Sequence, residues 1–264
     1  MKNSQHDPNC FVSSFANGID ILRIFNRRPE PKTLSEVSSL AGLSRASARR
    51  YLLTLCSLGY LKKRRSSYEL SYKALEIGNA YIKSNSNHGI IKEIVNEISR
   101  DTRELAAYGM FCGQDLIHTV CARKSNKIIS ADLTSGSDLP ILETALGYAI
   151  LANMAASERD IALRGLAEST NFKCNVASLK EIEVMLMEDS RNGYSCLNMG
   201  DEVGLCSLAV PVFGSYERVS GSIGVYINSL AIDLDNLKET ILPILQDKVD
   251  VLNDHLCNNA IASD

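Results

Sequence analysis

Basic side chains suited to an acidic partner are concentrated in two short segments near the N-terminus. The first segment carries Arg45, Arg49 and Arg50, and the second is an uninterrupted run of four cations at positions 62–65. Arginine presents forked donors that match phosphate oxygens or the acceptor edge of guanine, and consecutive cations bind a phosphate backbone. These residue types at this spacing predict contact with nucleic acid.

The net charge of −3 averages over two very different parts of the chain. Residues 1–75 contain 13 basic and 5 acidic side chains, a net charge of +8, whereas residues 76–264 contain 15 basic and 26 acidic side chains, a net charge of −11. A basic module joined to an acidic body indicates that only the first part contacts nucleic acid.

Candidates for catalysis or metal binding are few. The histidines are His6, His88, His118 and His255, and the eight cysteines include no C-x-x-C pair. His118 and Cys121 are three residues apart on a predicted strand, so strict alternation would place them on opposite faces and keep them from sharing a metal. Neither a G-x-S-x-G nor an H-E-x-x-H motif occurs. We therefore expect no enzymatic activity, no metal and no cofactor, with reduced cysteines acting as small core residues.

The first basic segment lies in a pattern typical of a helix-turn-helix. Thr33 and Glu36 have the spacing of a capping box, which predicts the start of a short helix, and Gly42 allows a tight turn after it. Ser44 is placed to cap a second helix that extends to about Ser57. Small and basic residues on the exposed start of that helix suit insertion into a DNA groove.

A short β-ribbon is predicted directly after the second helix. An extended run begins at Leu61, Ser66 and Ser67 form the turn, and residues 68–70 return as the second strand. A ribbon with a basic tip at this position is a wing, which contacts phosphates or the minor groove. The expected DNA contacts are Thr33, Ser35, Ser44, Arg45, Ser47, Arg49, Arg50, Lys62, Lys63, Arg64 and Arg65.

Periodicity and breaker residues predict the remaining organisation. We expect a winged helix-turn-helix over 11–73, a linker helix and hinge over 74–89, and an effector-binding and oligomerisation domain over 90–264. The first helix, over 13–26, has a predicted buried stripe made of Phe15, Ile19, Leu22 and Phe25.

The third region is predicted to be α+β, with helices flanking a mostly antiparallel sheet. The expected helices cover 90–103, 142–154, 178–193 and a long final segment from Asp233. The expected strands cover 105–111, 115–123, 127–133, 205–213 and 219–228, with a loop at 134–140.

Four segments resemble the isocitrate lyase regulator (IclR) family of bacterial transcription factors. They are FANGIDILRIF, LSEVSSLAGLSRASARRYLLTLCSLGYL, LPILETALGYAILA and GYSCLNMGDEVGLCSLAVPVF, and the resemblance covers nearly the whole chain. The run SRASARRYLLTL is most similar to the branch that regulates protocatechuate and p-hydroxybenzoate breakdown. The resemblance implies a winged helix-turn-helix and a GAF-like effector domain with an antiparallel sheet flanked by helices, in a homodimer or tetramer.

The resemblance also implies a pocket for a small carboxylate, in particular an aromatic acid. By position, its lining is Ser130, Leu139, Thr144, Ala145, Gly147, Cys196, Leu197, Asn198 and Ser207. Tyr148 replaces the Lys or Arg that the family usually has. The residues themselves suggest that Pro140 begins a helix whose free N–H groups favour an anion, with Arg123 as counter-ion.

Together these observations predict a cytoplasmic, DNA-binding transcriptional regulator that controls a catabolic operon. Its expected partners are a double-stranded DNA operator, a small carboxylate effector and further copies of itself. No apolar run is long enough to cross a membrane. The alternative is a metabolite-binding sensor or interaction module without DNA-binding activity, which would bind ligand but shift no DNA fragment.

Overall fold

The computed structural model describes residues 10–27, 30–123, 133–168, 178–199, 204–228 and 234–261. The chain divides into two compact units, Met1–Ser86 and Asn87–Asp264. The strand predicted over 127–133 lies outside the described residues except at its last position. No helix in the described ranges is both long and apolar enough to cross a bilayer.

The N-terminal unit consists of four helices and a small antiparallel sheet. Its elements are α1 (Ser13–Arg27), β1 (Lys32–Thr33), α2 (Leu34–Ala41), α3 (Arg45–Ser57), β2 (Leu61–Arg64), β3 (Ser67–Leu70), a 3₁₀ turn (Tyr72–Ala74) and α4 (Leu75–Ser84). The strand order is β1-β3-β2. The two-residue β1 was not expected from the sequence, because two residues are too few to show an alternating pattern.

The predicted caps of the helix-turn-helix are confirmed. The Thr33 hydroxyl accepts from the Glu36 N–H at 3.4 Å, and a Glu36 carboxylate oxygen accepts from the Thr33 N–H at 2.7 Å, which completes the capping box. Gly42 ends α2 in the left-handed region with φ 64°, and the Ser44 hydroxyl accepts from the N–H of Ser47 at 3.2 Å to begin α3. Side-chain caps therefore begin both α2 and α3, and the backbone conformation of Gly42 ends α2.

The core of this unit corrects the predicted stripe on α1. Ile21 and Phe25 are buried and Leu22 is half-buried, whereas Phe15 and Ile19 are 71% and 42% exposed. Only the second half of α1 packs against the core residues of α2, α3 and the sheet. Helical periodicity gives the direction of an apolar face, but it does not show how far along the helix the neighbouring core extends.

The wing turn also differs by one residue from the expectation. Ser67 pairs with Arg64 across the hairpin, so the turn consists of Arg65 and Ser66 rather than Ser66 and Ser67. Arg65 adopts φ 53°, in the left-handed region that tight hairpins use. This shift places Arg65 at the tip of the wing.

The C-terminal unit is α+β, as expected. Its elements are α5 (His88–Thr102), β4 (Leu105–Cys112), β5 (Asp115–Ala122), β6 (Asp138–Pro140), α6 (Ala145–Asn153), α7 (Ala156–Ala167), α8 (Leu179–Asn192), β7 (Ser195–Asn198), β8 (Leu205–Phe213), β9 (Val219–Asn228), α9 (Leu234–Thr240) and α10 (Leu242–Ile261). The strands form one antiparallel sheet in the order β6-β5-β4-β9-β8-β7.

Helices cover both faces of this sheet. One face packs against α5, α9 and α10 through residues such as Ile98 and Leu252. The other face packs against α6, with Leu146 in contact with Tyr226 and its neighbours, and α7 and α8 pack around α6. The apolar residues of the long strands are therefore buried from both sides, which explains their nearly continuous hydrophobic runs.

Four local features of this unit depart from the sequence expectation. The end of the predicted 134–140 loop forms β6, and α6 begins at Ala145 because a 3₁₀ turn occupies Ile141–Glu143. Helix α7 was not predicted. The single final helix is instead two helices, because Pro243 lacks the N–H that would continue a helix through Ile241 and is tolerated only in a first turn.

A β-bulge overturns the expectation for His118 and Cys121. Tyr108 pairs with Val120 and Gly109 pairs with His118, which leaves Thr119 as an extra residue in β5. An extra residue reverses the alternation of side chains beyond it. His118 and Cys121 therefore share the face that packs against α6, although no group of three or more potential ligands for a metal occurs in the described ranges.

The described cysteines differ in their burial. Cys206 is buried as expected for a core residue, but Cys10 and Cys112 are exposed. The interpretation of the cysteines as core residues is therefore wrong for these two positions.

Candidate functional site

The α3 helix separates a packed face from a basic face. Ala48 and Leu52 are fully buried. The side chains of Arg45, Arg49 and Arg50 are exposed on the other face. No described residue forms a hydrogen bond or ion pair with their guanidinium groups.

The hydroxyl groups predicted to contact DNA are mostly engaged in capping. The Ser44 hydroxyl donates to the Ser47 hydroxyl at 3.0 Å, in addition to accepting from the Ser47 N–H. The Thr33 hydroxyl donates to Glu36 at 2.8 Å, and these bonds from Thr33 lower the pKa of the Glu36 carboxyl. Ser35 is exposed on the first turn of α2. These groups position the two helices around the turn.

The four wing cations are exposed, and three of them lie against other side chains. The Lys62 ammonium lies 4.7 Å from the ring centre of Tyr72, and the Lys63 ammonium lies 6.0 Å from that of Tyr68. Arg64 forms an ion pair with Glu69, with 2.9 Å between Nε and Oε1. Such contacts restrict the positions of the charged groups without burying them.

Sequence reasoning missed the roles of Glu69 and Tyr72. The register of the hairpin places Glu69 opposite Lys62, two positions from Ser67, which is the partner of Arg64. A signal existed, since opposite charges on paired strands attract each other once the register is known. The expected turn at Ser66 and Ser67 would have placed Glu69 directly opposite Arg64, so this signal was also available from the sequence.

A cavity of about 250 Å³ lies at the end of β5 in the C-terminal unit. Its walls include Leu105, Cys121, Leu133 and Ser135, and Arg123 contributes the only charge among the described lining residues. Burial raises the pKa of the Cys121 thiol to about 12, so this group is neutral. The side chain of Arg123 is exposed and forms no hydrogen bond or ion pair with any described residue. A cavity whose lining combines apolar side chains, two hydroxyl groups and one cation suits a small monoanion.

Several predicted ligand residues are instead packed inside the unit. Thr144 and Ser207 are fully buried. The Thr144 hydroxyl accepts from the N–H of Gly147 at 3.0 Å, and the Ser207 hydroxyl accepts from the N–H of Ala145 at 2.9 Å. Two amides at the start of α6 are therefore already bonded. Pro140 precedes the 3₁₀ turn and does not begin α6, contrary to the expectation.

The other predicted ligand residues lie in different surroundings. Leu139 and Leu197 are half-buried on the α6 face of the sheet, near Ala145. Gly147 passes close to the carbonyl oxygen of Ile141, where a Cβ atom would overlap that oxygen. Cys196 packs on the opposite face of the sheet, Asn198 is exposed at the end of β7, and Ser130 lies outside the described residues.

A buried polar pair on the α6 face was not anticipated. His118 Nε2 lies 2.7 Å from the Tyr226 hydroxyl, and both residues are fully buried. Burial lowers the pKa of His118 to about 4, although a hydrogen bond to the Ser137 carbonyl and the charge of Asp138 oppose this shift. Burial raises the pKa of Tyr226. Both rings are therefore neutral near pH 7.

Comparison with known families matches both units. Residues 14–65 match the IclR helix-turn-helix domain, and residues 80–252 match the C-terminal domain of bacterial IclR transcriptional regulators. The chain is similar to the Pca regulon regulatory protein of Pseudomonas putida, at 28% identity over 243 residues that cover 90% of this chain and 82% of that protein.

Solved structures share the fold. A transcriptional regulator from Rhodococcus sp. RHA1 is 26% identical with a TM-score of 0.75, covering 93% of this chain and 98% of that one. An IclR homologue from Microbacterium hydrocarbonoxydans, solved in complex with 4-hydroxybenzoate, has a TM-score of 0.71 at 14% identity, covering 92% of this chain and 98% of that one.

Proposed function

The chain belongs to the IclR family of transcriptional regulators, and from that premise we propose that it controls a catabolic operon in response to a small aromatic carboxylate. Members of this family regulate transcription and are not enzymes. The proposal has three parts, which concern DNA contact, assembly and the effector.

The proposed DNA contacts divide between α3 and the wing. Arg45, Arg49 and Arg50 would enter the major groove, because their guanidinium groups are exposed and not bonded within the described residues. The wing cations at 62–65 would contact phosphates, since a row of exposed charges supplies attraction without base-specific geometry. The exposed basic face of α3 is the observation that carries the DNA-binding part of the proposal.

We propose that the protein acts as a dimer joined through the N-terminal unit. Large apolar side chains are exposed on α1 and α4, among them Phe15 at 71%, Leu75 at 74% and Ile77 at 58%. Large exposed apolar side chains are typical of interaction surfaces, and a second copy would present a second α3 to a paired half-site.

Light scattering tests the dimer. The intact protein should have a mass well above 28.9 kDa. Leu75→Lys should produce monomers and weaken operator binding, whereas Val251→Lys, which changes an exposed apolar residue of α10, should do neither. A wild-type protein that is monomeric at the concentrations where it binds DNA would contradict this part of the proposal.

The effector proposal rests on Arg123 at the wall of the 250 Å³ cavity. A guanidinium group binds a carboxylate through two hydrogen bonds, and the apolar walls suit an aromatic ring. The resemblance to a Pca regulon regulator and to a homologue that binds 4-hydroxybenzoate supports an aromatic acid.

Calorimetric titration of 4-hydroxybenzoate into the full-length protein tests the effector. Arg123→Gln should weaken binding by about tenfold or more, because a hydrogen-bonded charge pair is lost. Arg191→Gln, which removes an exposed arginine of α8, serves as the matched control. The neutral analogue 4-hydroxybenzamide should bind poorly. If the protein binds the ligand but shifts no promoter fragment, with or without that ligand, the result would favour the sensor without DNA-binding activity.

A further inference from the structure

A second and larger cavity, of about 540 Å³, follows the exposed face of α5 and reaches the end of β5. We call it the α5 groove and define it by Lys92, Glu93, Asn96, Arg100 and Arg123, which all line it and are all exposed. The buried face of α5, which includes Ile94 and Ile98, packs on the sheet. The groove runs along the edge of that face, where its lining also includes the buried Ser99 and Ala122.

The charge of the α5 groove contrasts with that of its surroundings. The lining residues include three cations, Lys92, Arg100 and Arg123, and one acid, Glu93, which gives the lining a net charge of +2. Arg100 also forms an ion pair with Glu97, which lies outside the lining, with 3.8 Å between Nη2 and Oε1. Residues 76–264 as a whole carry −11. A cationic depression in an acidic body concentrates the field at that place and attracts anions there rather than elsewhere on the unit.

The spacing of the cations indicates the size of the anion. Lys92 and Arg100 are eight residues apart on one helix, a rise of about 12 Å. Arg123 approaches from the end of β5. One monocarboxylate is too short to reach charges distributed over this length, whereas two or more acidic groups on one molecule match the net charge of +2.

We propose that the α5 groove binds a small polyanion with at least two carboxylate or phosphate groups. Lys92 and Arg100 hold its ends and Arg123 binds it from the side. The aliphatic stems of these residues, with Gly89 and Ala122, provide the apolar part of the lining.

The α5 groove and the 250 Å³ cavity share Ala122 and Arg123. Two anions held on either side of the same guanidinium group would repel each other, and each would neutralise part of the charge that attracts the other. Binding of a polyanion in the groove therefore opposes binding of an aromatic carboxylate in the cavity. This antagonism rests on the proposed function, whereas binding in the groove does not.

Calorimetry on the full-length protein at low ionic strength tests the groove, with citrate as the carboxylate probe and pyrophosphate as the phosphate probe. We expect at least one probe to bind, and the double variant Lys92→Ala/Arg100→Ala to weaken it by about tenfold or more. The matched control Lys180→Ala/Arg191→Ala removes the same charge from the exposed surface of α8 and should change affinity by less than about twofold. The probe that binds more tightly identifies the acidic group.

Two outcomes would overturn the site. The first is that neither probe binds. The second is an equal loss of affinity in the groove variant and the α8 control, which would show general attraction to a cationic surface. Folding of each variant is checked by its thermal unfolding midpoint. Lys92→Arg/Arg100→Lys should keep binding within about threefold, because both positive charges are retained.

A competition experiment separates this inference from the proposed function. A saturating probe should weaken 4-hydroxybenzoate binding to the wild-type protein, and this effect should disappear in Lys92→Ala/Arg100→Ala. Probe binding without any 4-hydroxybenzoate binding would remove the proposed effector and keep the groove. Binding of 4-hydroxybenzoate that citrate and pyrophosphate never affect would remove the antagonism and keep the effector.

Discussion

The polar groups of the two units lie in opposite surroundings. In the N-terminal unit, the guanidinium groups on α3 are exposed and not bonded within the described residues. In the C-terminal unit, the hydroxyl groups of Thr144 and Ser207 are fully buried and accept hydrogen bonds from backbone amides. The buried His118 and Tyr226 follow the second pattern. Exposed groups contribute little to folding, and buried polar groups are costly to leave unpaired. Function and stability are therefore separable in the first unit and coupled in the second.

The largest expected effect is on the stability of the C-terminal unit in acid. The pKa of His118 is lowered to about 4 in the folded protein from 6.5, so the unfolded chain binds a proton more tightly. The contribution of neutral His118 to the free energy of unfolding is complete above pH 6.5. It is lost as the pH decreases toward 4, which lowers the free energy of unfolding by on the order of 3 kcal/mol.

Urea unfolding at a series of pH values measures this dependence. His118→Gln should have a flatter profile between pH 6.5 and 4, because the group that titrates differently in the two states is gone. His255→Gln replaces an exposed histidine and should keep the wild-type slope. A His118 variant with an unchanged slope would show that this unit does not couple the buried pair to stability.

The next largest effect is a change in DNA affinity that leaves the stability of the protein nearly unchanged. Arg49→Ala should weaken operator binding by about 1–3 kcal/mol if it reads a base, and should leave the free energy of unfolding within about 0.5 kcal/mol of wild type. Lys63→Ala is the comparison, because it should weaken operator and random DNA by the same factor and reduce the salt dependence. Equal losses on both DNAs for both variants would contradict the division between α3 and the wing.

The smallest expected effect tests whether the wing is restrained. Glu69→Gln releases Arg64 from its ion pair and removes a negative charge, so affinity for random DNA should rise by about two- to threefold. Glu76→Gln removes an exposed acid of α4 that has no partner among the described residues, and should produce a smaller rise. Equal increases in the two variants would show that the ion pair with Arg64 has no specific role.

Prediction from sequence succeeded where a signal is local. The capping box of Thr33 and Glu36, the cap at Ser44, and the strands over 205–213 and 219–228 are confirmed because each depends on residues close together in the chain. Phe15 was assigned to the wrong environment because its burial depends on where neighbouring helices end. The predicted DNA and ligand contacts remain predictions for the experiments above.

The amino-acid sequence by itself determined the two-part charge distribution, the helix-turn-helix and its wing, and the α+β class of the second unit, since composition, caps and periodicity act over a few residues. Only the tertiary structure decided that Thr119 is bulged, that His118 meets Tyr226, and that Arg123 borders two cavities. These features join residues far apart in the chain, and one extra residue in a strand reverses which face each side chain occupies. Local patterns contain no record of that reversal.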